Sequence, residues 1–143
     1  METKYLVIGV VVAFIGLITL MFLSVKPAKG VDYTEFAQCL NEEGAVMYGA
    51  FWCPHCIDQK ESFGDAWEEV NYIECSLPDR SGQTQVCKDA DIQGYPAWQF
   101  VDDTLIPAEL ANRKSSGPNW EIRIAGEITL KQLGTITGCQ LPE

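Results

Sequence analysis

"AFWCPHCIDQK", Ala50–Lys60, holds two of the chain's six cysteines, Cys53 and Cys56, with Pro54 and the only histidine, His55, between them. The residues leading into it, AVMYGAF (Ala45–Phe51), are a short apolar run that suits a buried strand. From Pro54 to about Trp67 the pattern turns helical, with Gly64 as a weak point. A strand feeding a helix at Cys53 sets that sulfur among the unpaired N–H groups of the first turn. Those groups and the helix dipole favour negative charge. Pro54 suits a first turn, where no N–H is needed, and His55, when protonated, adds positive charge. The thiolate is the nucleophile of disulfide exchange. Cys53 is therefore expected to attack or be attacked, and Cys56, one turn further in, to resolve the mixed disulfide. Stabilising the thiolate stabilises the reduced dithiol, which makes the disulfide form a better oxidant. Pro54 and His55 are thus read as tuning residues.

Other chemistries fit the pair less well. A structural zinc site wants four ligands, commonly a second close pair, whereas the chain holds no second histidine and Cys75 and Cys87 are 12 residues apart. Covalent haem attachment needs histidine directly after the second cysteine, and Ile57 stands there. An inert bridge closing so small a loop gains little from loop entropy. No metal and no cofactor is expected. With Cys53 and Cys56 set aside, the four remaining cysteines (Cys39, Cys75, Cys87, Cys139) allow three pairings.

Working outward, DYTEFAQCLNEEG (Asp32–Gly44) reads as a helix with Tyr33, Phe36, Ala37 and Leu40 on one face. Asp32 is its expected cap, with Glu35 completing a capping box. VNYIEC is a second strand, LPDRSGQ a loop and TQVCKDA a short helix. PAWQFV and WEIRIAG are strands and TLKQLGTIT is a final helix. Gly94 before Tyr95–Pro96 marks a turn into the third strand. Asp102–Asn119 is long for a hairpin loop, and ANRKSSGPN within it is polar and rich in breakers. Strands alternating with helices and then two strands in succession predict an α/β domain with a mixed sheet flanked by helices. Trp98 and Trp120 are expected in the core. Asp58, Glu61, Glu68 and Glu69 are expected on a solvated helix face.

The chain has 143 residues, 47% of them hydrophobic, enough for one domain with a proper core. Its net charge of −10 argues against nucleic acid and against a basic patch for anionic lipid. Tyr5–Leu23 carries no charge over 19 residues, about the length of a membrane-crossing helix. A signal peptide has a shorter apolar region ending at a small-residue site, and Lys26, Pro27 and Lys29 spoil that site here. The expectation is an uncleaved single-pass anchor (1–23), a linker (24–30) and one domain (31–143). Lys4 on one side and Lys26 and Lys29 on the other leave the positive-inside rule undecided. Six cysteines in a small domain suit an oxidising compartment, which places the domain outside the cytoplasm.

WCPHC (Trp52–Cys56) together with IQGYPAW (Ile92–Trp98) resembles the thioredoxin superfamily. In that family the Ile-x-Gly-x-Pro stretch supplies a cis-proline loop beside the CxxC. The resemblance gives Pro96 that position, lays the Tyr95 backbone along a bound substrate peptide and makes Trp52 an exposed tryptophan beside the active cysteine. The CPHC form is similar to that of periplasmic disulfide-forming oxidants. MYGAFWCPHC, YIECS, QTQVCKDADIQGYPAW and GEITLKQLGTITGC resemble the thioredoxin-like domain attached to bacterial homologues of vitamin K epoxide reductase, over most of Val31–Cys139. That likeness implies a thioredoxin-like fold. It also implies a Cys75–Cys87 bridge across the loop they flank, which leaves Cys39 and Cys139 to join the first and last helices of the domain. One apolar span stands in place of the four-helix quinone-reducing domain, and Asp102–Asn119 aligns to nothing there. Many thioredoxins keep a buried acid six residues before the first cysteine; Met47 stands there, so fast reduction of substrates through a buried carboxylate is not expected. With the anchor expected from Tyr5–Leu23, the resemblance implies a membrane-tethered thiol–disulfide oxidoreductase that passes its disulfide to exported protein thiols. It would be recharged by a quinone-linked membrane oxidoreductase of the vitamin K epoxide reductase type. A reductase or isomerase, or a non-catalytic binding module on the same scaffold, are the alternatives.

Overall fold

In the computed structural model, which describes residues 2–24, 30–101, 105–117 and 122–142, the apolar run before the cysteines is strand β1 (Val46–Gly49). It lies inside a five-stranded sheet with β2 (Tyr72–Glu74), β3 (Ala97–Phe100), β4 (Lys114–Ser116) and β5 (Ile122–Ala125), in the order β2-β1-β3-β5-β4. β1 runs parallel to β2, with Met47 opposite Tyr72 and Gly49 opposite Glu74. The other pairings are antiparallel. The sheet is mixed and the fold is α/β.

Side chains alternate across a strand, and the two faces of this sheet bury different sets. Met47, Trp98 and Ile124 point to one face, where Phe36, Leu40, Phe63, Ile128 and Leu133 complete the larger core. Tyr48 and Ala97, their neighbours in sequence, join Cys75, Cys87 and Ile92 on the other. Each large apolar side chain fully buried this way stabilises the fold by about 1.5–3 kcal/mol.

Helices α2 (Thr34–Glu42), α3 (Pro54–Phe63), α4 (Gln85–Asp89) and α5 (Leu130–Thr137) accompany the sheet. α3 stops at Gly64, whose φ of 58° suits glycine, and a 3₁₀ segment carries the chain on to Glu69. α2 begins one residue later than its sequence pattern suggests, so its cap is Tyr33 and not Asp32. The Asp32 carboxylate accepts instead from the amide (3.0 Å) and hydroxyl (2.6 Å) of Thr34. The register of a box with Glu35 is thereby lost. A capping box does form at α5, between Thr129 and Gln132.

The segment read as a polar loop also contains structure. Ala108–Arg113 is a 3₁₀ turn, and Lys114–Ser116 is the edge strand β4, paired with β5 through Ser115 opposite Arg123. Three exposed polar residues give no apolar alternation, so the pairing leaves no pattern in the sequence. Residues 102–104 and 118–121, and with them Trp120, lie outside the described residues.

The chain divides into two units, Met1–Gly30 and Val31–Glu143. The first contains one helix, α1 (Glu2–Ser24), whose described apolar side chains are exposed, Leu17 by 71% and Phe14 by 65%. Described side chains run without a break only over 7–20. Among the described residues no helix is long and apolar enough to cross a membrane. Lys26 and Lys29 lie outside them.

Candidate active site

β1 delivers the chain to the cysteines through one tight turn, in which the Cys53 amide donates to the Ala50 carbonyl at 3.0 Å. Cys53 has extended backbone and caps α3; its carbonyl accepts from the amides of Cys56 and Ile57, both at 3.1 Å. Pro54 takes the first helical position and loses no bond there. Cys53 and Cys56 are free thiols and both are buried, Cys53 with 7% of its surface exposed and Cys56 with none.

Around Cys53 stand the residues expected to contact substrate. Its thiol donates to the Tyr95 carbonyl at 3.7 Å, and the Tyr95–Pro96 bond is cis. Pro96 is fully buried, and its carbonyl accepts from the Gly126 amide at 2.7 Å. Trp52 is exposed and meets the Tyr95 ring edge-on, 6.3 Å between centroids. The Trp52 indole N–H donates to Ser76 at 2.7 Å, and the Tyr95 hydroxyl accepts from Gln83 at 2.8 Å. Phe51 and Ile57 add exposed apolar surface beside them.

The other four cysteines form two disulfides. Cys39 on α2 joins Cys139, just past α5, with a Cα separation of 5.9 Å. Cys75, after β2, joins Cys87 on α4 at 5.5 Å. Both of the latter are fully buried.

His55 lies in the first turn of α3 and is exposed, and its Nδ1 meets the carboxylate of Glu127, 72 residues away in sequence. The cation expected beside Cys53 therefore has an anion at its side. Asp58 joins them, the three side chains offering ligand atoms within 4.8 Å of one another. All three are exposed, and the geometry is that of a surface ion-pair cluster.

Gln59 escaped the sequence reading. It is buried, accepts from the Ile128 amide (2.8 Å) and the Trp98 indole (3.2 Å), and donates to the Ile128 carbonyl (3.0 Å). It fastens α3 to the segment that carries Glu127. The available signal was its spacing: Cys56, Gln59 and Phe63 fall on one face of α3, and all three are buried. Tyr72 and Glu74 also went unremarked. The Tyr72 hydroxyl donates to Glu74 Oε2 at 2.7 Å, and Glu74 Oε1 accepts from the amides of Ser76 (2.8 Å) and Phe51 (3.3 Å). Met47 is wholly buried core.

Gly49 shows how tightly this region is closed. A Cβ there would lie 2.9 Å from Tyr72 Cε2 and 3.0 Å from Cys56 Sγ. Gly49→Ala is therefore expected to destabilise the protein by about 1–3 kcal/mol, the usual effect of overpacking. Urea titration should show a lower midpoint with an unchanged slope.

No family model matches the chain. Thiol-disulfide oxidoreductase LTO1 of Arabidopsis thaliana is 39% identical to it over 111 residues, which are 75% of this chain and 24% of that protein. The chain thus spans about a quarter of the length of the curated relative it matches. The likeness supports a thiol-oxidoreductase kind.

Proposed function

We propose that this chain is a membrane-tethered thiol–disulfide oxidoreductase of thioredoxin-like fold that donates disulfides to exported proteins. One observation carries the reading. Of six cysteines, only Cys53 and Cys56 are free, and they are held at a strand-to-helix junction with the Cys53 thiol against the Tyr95 carbonyl. The name of the relative supports the same chemistry.

In the oxidised form a client thiolate attacks Cys53 Sγ. The Cys53–Cys56 bond breaks and its electron pair leaves on Cys56. A second client thiolate then attacks the client sulfur joined to Cys53, forming the client disulfide and releasing Cys53 as a thiolate. The client loses two electrons and the cysteine pair gains them. Trp52 and Tyr95 form the surface on which the client lies, and Pro96, buried behind them, holds the Tyr95 carbonyl beside Cys53. Recharging requires an acceptor of two electrons, and the sequence resemblance supports a quinone-linked membrane oxidoreductase of the vitamin K epoxide reductase type. The anchor is Tyr5–Leu23, supported by its charge-free sequence. That run of 19 residues is about the length that a membrane-crossing helix needs. The domain faces the extracytoplasmic side, where its two disulfides persist.

The test mixes the oxidised full chain with a reduced peptide dithiol. The expected result is one peptide disulfide formed for each Cys53–Cys56 bond lost, and a non-catalytic module would leave the peptide reduced. In intact cells, a thiol reagent that cannot cross membranes should label reduced Cys53; labelling only after lysis would refute the orientation.

His55 supplies a further expected result. His55→Leu removes the imidazole next to Cys53 and leaves the Glu127 carboxylate behind. Alkylation of Cys53 at neutral pH should slow, and the disulfide should become less oxidising, by about 30 mV for each 1.4 kcal/mol of thiolate stabilisation lost. An unchanged alkylation rate across pH would show that His55 does not tune the site.

A further inference from the structure

Thiol–disulfide exchange requires a proton to enter or leave Cys56, and this sulfur has no exposed surface. Burial pushes its thiol up to about 12; the Ala50 backbone bond and Lys60 oppose the rise, and Cys53 adds to it. The proton has to pass through the wall of the site. Four ionisable groups interact there: Cys53 at the start of α3, Lys60 within it, and Tyr72 and Glu74 from β2. β1 offers Met47 and Gly49, which carry no proton.

Tyr72 borders the same small space above Gly49 as the sulfur. Its hydroxyl oxygen and Cys56 Sγ lie 3.3 Å and 3.0 Å from a single point, the place a Cβ on Gly49 would occupy. The hydroxyl already donates to Glu74 at 2.7 Å. Glu74 is held in place by the amides of Ser76 and Phe51 on its other oxygen, and it is half-buried, at the end of β2. Lys60 Nζ sits 3.8 Å from the centre of the Tyr72 ring and fixes it from the helix side. Phenol and carboxylate are joined by a hydrogen bond, and the phenol shares with the closed sulfur the space above Gly49.

We propose that Tyr72 and Glu74 are the proton path of Cys56, with Tyr72 exchanging a proton with the sulfur and Glu74 acting through Tyr72 as its positioning residue. This rests on the exchange chemistry proposed above. When Cys56 resolves a mixed disulfide, its S–H proton passes to the Tyr72 oxygen as the Tyr72 proton passes to Glu74 Oε2. The Cys56 sulfur attacks Cys53 Sγ. The Cys53–Cys56 bond forms, the bond from Cys53 to the client sulfur breaks, and the electron pair leaves on the client thiolate. The cysteine pair is oxidised and the client is reduced by the same two electrons. In disulfide donation the path runs backwards: Glu74, having taken a proton from water, returns one through Tyr72 to the departing Cys56.

The experiment treats the reduced full chain with dithiobis(nitrobenzoate). Attack by Cys53 releases one nitrothiobenzoate and leaves the other on Cys53; attack by Cys56 then releases it. The first release is the internal reference. Tyr72→Phe keeps the ring contacts and removes only the hydroxyl, and Glu74→Gln keeps an acceptor for Ser76 and Phe51. In both variants the ratio of second to first rate should fall at least tenfold at neutral pH, since a positioned acid–base group contributes about 10²–10⁴-fold. The second rate should then rise about tenfold per pH unit, as hydroxide takes over the proton. A folded Tyr72→Phe protein with the wild-type ratio and pH profile overturns the path, and the same result in Glu74→Gln removes Glu74 from it. Should Glu74→Gln fail to fold, Tyr72→Phe decides alone. Absence of a first release in the wild-type chain would instead refute the oxidoreductase reading, and this inference with it.

Discussion

On the proposed chemistry Cys53→Ser should abolish disulfide transfer to a reduced peptide, because the sulfur that a client would attack is gone. Cys56→Ser gives a different failure. Cys53 still reacts, but nothing displaces the client, and mixed disulfides accumulate. The asymmetry follows from the geometry. Cys53 caps α3 with its thiol at the Tyr95 carbonyl, whereas Cys56 is sealed behind it with no exposed surface. Non-reducing electrophoresis and peptide mapping distinguish the two outcomes. A Cys53→Ser protein that oxidised the peptide at the original rate would show that the attacked sulfur had been misassigned, and the proteins trapped on Cys56→Ser would be the clients.

The second large effect concerns stability. The Cys39–Cys139 bridge spans 100 residues and the Cys75–Cys87 bridge spans 12. A cross-link lowers the entropy of the unfolded chain in proportion to the logarithm of its loop, about 4.7 kcal/mol for the longer and about 2.8 kcal/mol for the shorter. Native domains are stable by only about 5–15 kcal/mol. Replacing Cys39 and Cys139 with alanine should therefore remove a third or more of the total. Replacing Cys75 and Cys87 should cost roughly 2–4 kcal/mol and leave exchange at Cys53 working in the folded fraction. Urea unfolding of the two double variants beside the wild type checks the order. A smaller loss from the long bridge than from the short one would show that the unfolded chain is already compact between Cys39 and Cys139.

What the sequence revealed was what is local. The run into Cys53 and the period after Pro54 announce β1 and α3 because burial on one side writes itself as apolar spacing. β4 stayed hidden for the converse reason: Lys114, Ser115 and Ser116 are exposed and pair through main chain that every residue has. Asp32 misled by one residue, since a cap depends on where the helix starts and not only on which side chain could serve. Within the site, Cys53, Pro54 and His55 are read from their spacing. Glu127 could not be read, because the fold brings it 72 positions to meet His55. Glu74 could have been sought on β2, once β1 and β2 were known to lie parallel with Gly49 opposite it. Gln59 left a trace that hydrophobic counting discards, a polar residue on the buried face of α3.

The Cys39–Cys139 bridge has a mechanical consequence as well. It closes most of α2, the sheet and α5 into a covalent ring. Tension drawn between Val31 and the residues after Cys139 passes across one sulfur–sulfur bond and bypasses everything between. The strands and the CxxC feel almost none of it. In a single-molecule pull between those points, the oxidised domain should show no unravelling step for residues 39–139, and the reduced one should release that whole length.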